Sequence, residues 1–174
     1  MKQQPLLTET PVPFRTVCGG AEFSECRTYR YALWRIWGVG PCAMFIGLNP
    51  STADENTNDP TIRRCIRFAT DWGFGGLYML NLFAYRSTDP KVLVSMGDPI
   101  GPKNSEALAY YRTKCELIVA AWGAHKLASR RGRSVCGIIC RRLDCLGTTK
   151  DGSPRHPLYV RADVKPQLFW SPQP

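Results

Sequence analysis

The chain has 174 residues, 44% of them hydrophobic, and a net charge of +9, so one domain with a core of its own is expected. No stretch approaches the roughly 20 consecutive apolar residues that span a bilayer, and Met1-Lys2-Gln3-Gln4-Pro5 lacks the apolar run of a secretory signal. Membrane and secreted classes are therefore set aside and a cytoplasmic location is expected. In that compartment the eight cysteines are expected to be reduced, most of them small buried apolar residues. No C-x-x-C pair occurs, and neither histidine lies near Cys136, Cys140 or Cys145, so no metal or other cofactor is expected.

Residues 1–15 are rich in Pro and polar groups and are expected to form a poorly ordered arm, followed by a single domain over residues 16–174. Tyr29–Trp37 is aromatic and predicts a strand, Gly38–Pro41 a turn, and the apolar run Cys42–Leu48 a buried strand. Asp59-Pro60 has the form of an N-cap followed by proline at the first helical position. The helix would run through Thr61–Trp72 with Ile62, Cys65, Ile66 and Ala69 facing inward. Leu77–Phe83 predicts the next buried strand, Asn104 or Ser105 the start of a helix to about Lys114, and Cys115–Trp122 a third strand. Helices are predicted near Ala124–Arg131 and from a Ser134 cap through Leu146, with a last short strand at Tyr159–Arg161. Strands alternating with helices imply an α/β fold: a three-layer α/β/α sandwich with a mainly parallel central sheet. Ligands bind such sheets beyond the carboxyl ends of the strands.

Four segments fall at those ends. Gly47-Leu48-Asn49-Pro50-Ser51 is followed by Asp54. Its glycine would let a ligand approach the backbone, and Asn49 would hold a water in line without ionising. Asp54 or Asp59 would supply negative charge to a developing cation; a plain turn explains the same residues. Asn81 is an amide inside an apolar strand, which costs energy unless satisfied; it suits either the edge of a base or a loop backbone. His156, between Arg155 and Pro157-Leu158-Tyr159, would donate to a developing negative charge, with Leu158 and Tyr159 wedging into a base stack. His125 is read as structural. In Asn81–Pro90, Phe83 and Tyr85 would stack on a base and Arg86, Ser87 and Thr88 would bind phosphate. Arg63 and Arg64 suit either DNA or a solvated helix face. Between Lys126 and Lys165 ten Lys or Arg stand against three Asp, which favours a phosphate-bearing partner.

Over roughly Arg27–Tyr159 the chain resembles the DUF1643 family of bacterial and phage proteins through GLNPSTAD, NDPTIRRC, NLFAYRSTDP, AAWG and HPLY, a resemblance that carries no activity. The order of motifs also resembles the uracil-DNA glycosylase superfamily. Gly47–Pro50 is similar to its Gly-x-(Asp/Asn)-Pro strand end, in the Asn form of the mismatch-specific branch. Met79-Leu80-Asn81, Trp122-Gly123-Ala124 and His156-Pro157-Leu158 are similar to its later elements. That resemblance implies a uracil-DNA glycosylase-like fold. It also implies that Asn49 positions water, Asn81 reads the base edge and His156 stabilises the departing base during N-glycosidic hydrolysis of a flipped nucleotide. Gly47, Leu48, Pro50, Phe83 and Tyr85 would line the base site; Ser51, Arg63, Arg64, Arg86, Ser87, Thr88, Arg155, Leu158 and Tyr159 would meet DNA.

The expected function is a monomeric DNA glycosylase-like enzyme acting on a damaged, mismatched or modified base, in single- or double-stranded DNA. A non-catalytic nucleic-acid-binding module and a hydrolase of small nucleosides or nucleotides stand as alternatives.

Overall fold

The computed structural model describes residues 17–173; the arm expected over residues 1–15 lies outside them. In chain order the elements are β1 (Cys18–Phe23), β2 (Arg30–Ile36), β3 (Cys42–Gly47), α1 (Pro60–Asp71), β4 (Gly76–Asn81), α2 (Asn104–Tyr111), β5 (Leu117–Ala120), α3 (Ala128–Ile139), β6 (Leu143–Cys145) and β7 (Gln167–Trp170). The result is a mixed α/β fold with one seven-stranded sheet in the order β1-β2-β4-β3-β5-β6-β7.

The four inner strands β4, β3, β5 and β6 run parallel. The β1–β2, β2–β4 and β6–β7 pairings are antiparallel. The sheet is therefore mixed, where a mainly parallel one was expected. The difference comes from β2, which was expected without a direction, and from β1 and β7, which the sequence reading missed. β1 (CGGAEF) carries two glycines on an exposed edge, and β7 is four residues long. Neither shows the apolar run or clean alternation that marks a strand.

Side chains alternate across β3. Met44 and Ile46 point to the face that holds α2 and α3; Ala43 and Phe45 point to the face that holds α1. Each face thus has its own helical layer and core. On the α1 face, Phe45, Trp72 and Phe68 stack at centroid distances of 5.9 and 5.4 Å. Burial of one such ring contributes about 2 kcal/mol.

α1 begins as the sequence dictates. Asp59 is extended at its N-cap and its carboxylate accepts from the Ile62 N–H at 2.8 Å, with Pro60 in the first turn. Ile62, Cys65, Ile66, Phe68 and Ala69 are its buried face. α3 departs from expectation, because one helix replaces two. Ser134 sits in its middle, exposed, and donates back to the Arg130 carbonyl instead of capping. Cys140, at φ +46°, ends it. Residues 143–145 then join the sheet, because Leu143 and Cys145 complete a core that a helix there would leave open. A 3-10 turn over Pro157–Tyr159 replaces the strand expected at Tyr159–Arg161.

All eight cysteines are free: Cys65, Cys115, Cys136 and Cys145 are buried, Cys42 is half-buried, and Cys18, Cys26 and Cys140 are exposed. Burial as the rule for cysteines thus holds for only half of them. Among the described residues no helix is long and apolar enough to cross a membrane.

Candidate active-site cleft

β3 leads to α1 on one face of the sheet, while its neighbour β5 leads to α3 on the other. The two loops diverge, and the gap they leave at the carboxyl ends of the strands is where ligands enter sheets of this kind. A cleft of about 520 Å³ occupies it, with walls from the ends of β3, β4 and β5, the start of α1 and the 149–159 loop.

The floor is made by two residues paired across parallel strands, Gly47 and Asn81. A Cβ at position 47 would lie 2.8 Å from the Asn81 Oδ1 and 2.8 Å from the Met79 Cε, so glycine there leaves room for the amide. The Asn81 backbone carbonyl accepts from Asn104 Nδ2 at 3.1 Å, which anchors the strand end. The side chain is a different matter. Asn81 is 1% exposed, yet neither its Nδ2 nor its Oδ1 has a hydrogen-bond partner among the described residues. The loop-backbone role left open for it is thus not made by the side chain.

Asn49 stands on the wall. Its Nδ2 donates to the Ser87 carbonyl at 2.8 Å and to the Pro50 carbonyl at 3.2 Å. Those bonds orient the amide and leave Oδ1 as its open acceptor. Ser51, Ser87 and Thr88 complete this side.

Opposite is His156. Gly123, following β5, donates its N–H to the Pro154 carbonyl at 3.0 Å and so ties the histidine loop to the strand end. The His156 Nδ1 accepts from the Leu158 N–H at 3.3 Å, which places the proton of the neutral ring on Nε2. Burial lowers its pKa, with Asp59 acting in the opposite sense. His125, read as structural, lines the same cleft. Its Nδ1 accepts from the Leu127 N–H at 3.3 Å, and burial followed by Lys126 lowers its pKa. Both histidines of the chain are thus held towards the neutral form at one site.

Charge enters from residues the motifs did not assign. Arg30, 2% exposed, lines the cleft. Its Nη1 donates to the Ala53 carbonyl at 2.7 Å, while its Nε has no partner. Burial pushes its pKa down to about 10, with Asp59 the main opposing influence. Asp59 also lines the cleft and settles which of the two carboxylates faces it. The Asp54 carboxylate accepts from the Asn56 and Thr57 N–H groups at 2.9 and 2.7 Å in its own turn, away from the cleft wall. Those bonds hold its pKa below the ordinary carboxylate value.

Of the expected site residues, Gly47, Leu48, Asn49, Ser51, Asn81, Ser87, Thr88, Arg155 and His156 come together in the cleft, with Tyr159 at its mouth, 79% exposed. Others do not. Pro50 is buried behind the wall, and its carbonyl serves Asn49 and Ser87. Phe83 belongs to the core, and Tyr85 packs edge-on against Tyr29 at 6.1 Å. Arg63 donates to the Asn58 carbonyl at the helix start. Arg64 lies over Phe68 and donates to the Val160 carbonyl at 2.6 Å. Arg86 lies over Phe23 and donates to the Arg27 carbonyl. Leu158 is 44% exposed outside the wall. These arginines satisfy nearby backbone carbonyls, which a linear reading does not foresee. Arg30 did have a sequence signal: it is one of two arginines, with Arg35, in a strand whose other residues are aromatic or apolar.

Among the described residues no three His, Cys, Asp or Glu side chains gather as a metal site. A family model described as "Protein of unknown function (DUF1643)" matches residues 30–158. No curated protein and no solved structure matches the chain.

Proposed function

The chain belongs to the DUF1643 family, and we propose that its cleft is a nucleobase site where an N-glycosidic bond of a damaged, mismatched or modified nucleotide in DNA is hydrolysed. The observation that carries this reading is the Asn81 side chain, buried on the cleft floor with donor and acceptor both unpartnered. An unsatisfied buried polar group costs about 1–3 kcal/mol. A base edge, which offers an acceptor and a donor side by side, satisfies both atoms at once.

The remaining groups fit the charge that the reaction develops. A water that donates one O–H to the Asn49 Oδ1 bonds through its oxygen to the sugar C1′ as the bond from C1′ to the base nitrogen breaks. The electron pair leaves with the base. The neutral His156 donates its Nε2–H to that developing anion, and the Asp59 carboxylate faces the developing sugar cation. The water's proton passes through solvent to the departed base nitrogen. Neutral histidines suit this role, because a hydrogen-bond donor is needed without a competing charge on the ring.

The same reading takes the two helical layers around the sheet as uracil-DNA glycosylase-like. Its support is the order Gly47–Pro50, Asn81, Trp122-Gly123 and His156 around one cleft. A cytoplasmic monomer belongs to the same reading, and its action on DNA draws support from the net charge of +9.

The test is release of abasic sites from oligonucleotides carrying uracil, mismatches, deaminated purines or hypermodified pyrimidines. The expected result is an alkali-cleavable product from one substrate class, lost in Asn49→Ala and His156→Ala. Salt-sensitive binding with no product from any substrate would support a binding module instead. Cleavage of free nucleosides without oligonucleotide binding would support a small-molecule hydrolase.

A further inference from the structure

A second concavity of about 680 Å³ lies beside the cleft, and Trp122, Ala124 and His125 form a wall common to both. Part of its lining is aromatic. Phe169 of β7 meets Trp122 edge-on at 5.7 Å, and Trp170 follows, each of the two β7 rings half-buried. The lining also includes Lys126 and Arg133, both exposed. Neither forms an ion pair among the described residues; Arg133 only touches Ser129 Oγ at 3.2 Å. The one carboxylate on the rim, Asp151, is engaged by Thr149 and by the Ser153 N–H in its own turn.

We infer that this groove holds the nucleotide next to the one in the cleft, its base against Phe169 and Trp170 and its phosphate between Lys126 and Arg133. The inference rests on the nucleobase reading of the cleft and extends it to a single-stranded substrate. Three features carry it. The groove is continuous with the cleft across His125, so one strand occupies both. Its volume is in the range that takes a nucleotide. Aromatic rings and unpaired cations lining one groove are the combination that single-stranded nucleic acid requires, because a base offers a π-face whatever its sequence and a phosphate follows each sugar. A base within a duplex keeps its faces stacked on its neighbours and offers none to Phe169 or Trp170. Gly132 of α3 makes the arrangement possible: a Cβ there would press on the Trp122 ring at 3.1 Å.

Binding of a fluorescein-labelled single-stranded oligothymidylate, read by anisotropy over a range of salt, tests this. The proteins are wild type, Lys126→Glu/Arg133→Glu, Trp170→Ala and, for the cleft, Asn81→Leu, each checked for fold by circular dichroism. The expected result for Trp170→Ala is binding about tenfold weaker. The charge reversal, on two exposed side chains, is expected to weaken binding and lower the salt slope by about one to two. Oligothymidylate should also quench tryptophan fluorescence less in Trp170→Ala than in wild type. Groove variants that bind like wild type, while Asn81→Leu binds less well, would overturn the groove and leave the cleft reading standing. Wild type that binds thymidine monophosphate as tightly as the oligomer would do the same. Wild type that binds neither would overturn both.

Discussion

The two ends of the same three strands, β3, β4 and β5, are built on opposite terms. At their amino ends the backbone closes on itself. The Trp37 and Gly38 N–H groups both donate to the Gly75 carbonyl at 2.9 and 3.0 Å, Gly75 donates to Pro41 at 2.9 Å, and Glu116 donates to Cys42 at 3.1 Å. At their carboxyl ends the Asn81 amide and the Arg30 Nε are buried without partners. Both ends pair backbone groups, but the carboxyl end also leaves buried side-chain atoms open, and the proposed function assigns them to a ligand. Unsatisfied groups are tolerated where the surrounding structure over-determines them, and here the closed end supplies that rigidity.

Changing one end at a time separates the two roles. The largest expected effect is at the open end. Asn81→Leu is expected to lower abasic-site release by a hundredfold or more, while the melting temperature holds or rises, because the substitution removes two buried unsatisfied atoms. Calorimetry beside the activity assay checks this, and a large fall in melting temperature would show that Asn81 is structural.

Gly75→Ala probes the closed end. Its Cβ would lie 2.7 Å from the Gly38 carbonyl oxygen and 3.0 Å from two backbone carbons, atoms that cannot swing aside. A loss of about 2 kcal/mol in urea unfolding is expected, with the folded fraction as active as wild type. Gly47→Ala should do the reverse, because its Cβ meets the ends of the Asn81 and Met79 side chains: activity falls more than stability.

A smaller effect concerns pH. Burial lowers the pKa of His156 and, with Lys126, that of His125 below the ordinary value of 6.5. The unfolded chain therefore takes up protons first as pH falls through 6.5, and stability declines from there towards the folded values; above 6.5 both states are neutral and the two groups contribute nothing. Urea midpoints at about pH 7.5 and about pH 5.5 should differ less in His125→Gln/His156→Gln than in wild type. An equal drop in both proteins would refute the assignment.

The smallest effect lies away from the cleft. Hydrogen bonding with Ser24 and then Thr28 brings the Cys26 thiol down to about 7. Iodoacetamide at neutral pH should label Cys26 before the other exposed thiols, Cys18 and Cys140, and leave abasic-site release unchanged. Mass-spectrometric mapping of the first adduct checks the order.

Reading the chain in one dimension succeeded where the signal is local. α1 carries its cap, its proline and its apolar face in consecutive residues, and β3, β4 and β5 are runs too apolar to sit anywhere but inside. It failed where pairing or competition decides. β1 and β7 are strands because a partner edge is available. Ser134 offered a cap that the continuing helix α3 overrode. The carbonyls that Arg63, Arg64 and Arg86 bond are likewise chosen by the folded chain and not by the local sequence.

The α/β class and the strand-end residues Gly47, Asn49 and Asn81 are legible in the amino-acid sequence, because a polar or glycine residue closing an apolar run is visible in any linear window, and His156 stands out as one of two histidines. Only the tertiary structure decided that Asp59 and not Asp54 faces the cleft, and that His125 joins His156 there. It alone decided that Arg30 lies buried beside them and that Phe83 belongs to the core. Those outcomes depend on which loop diverges to which face of the sheet, and so on contacts between residues tens of positions apart that no local pattern encodes.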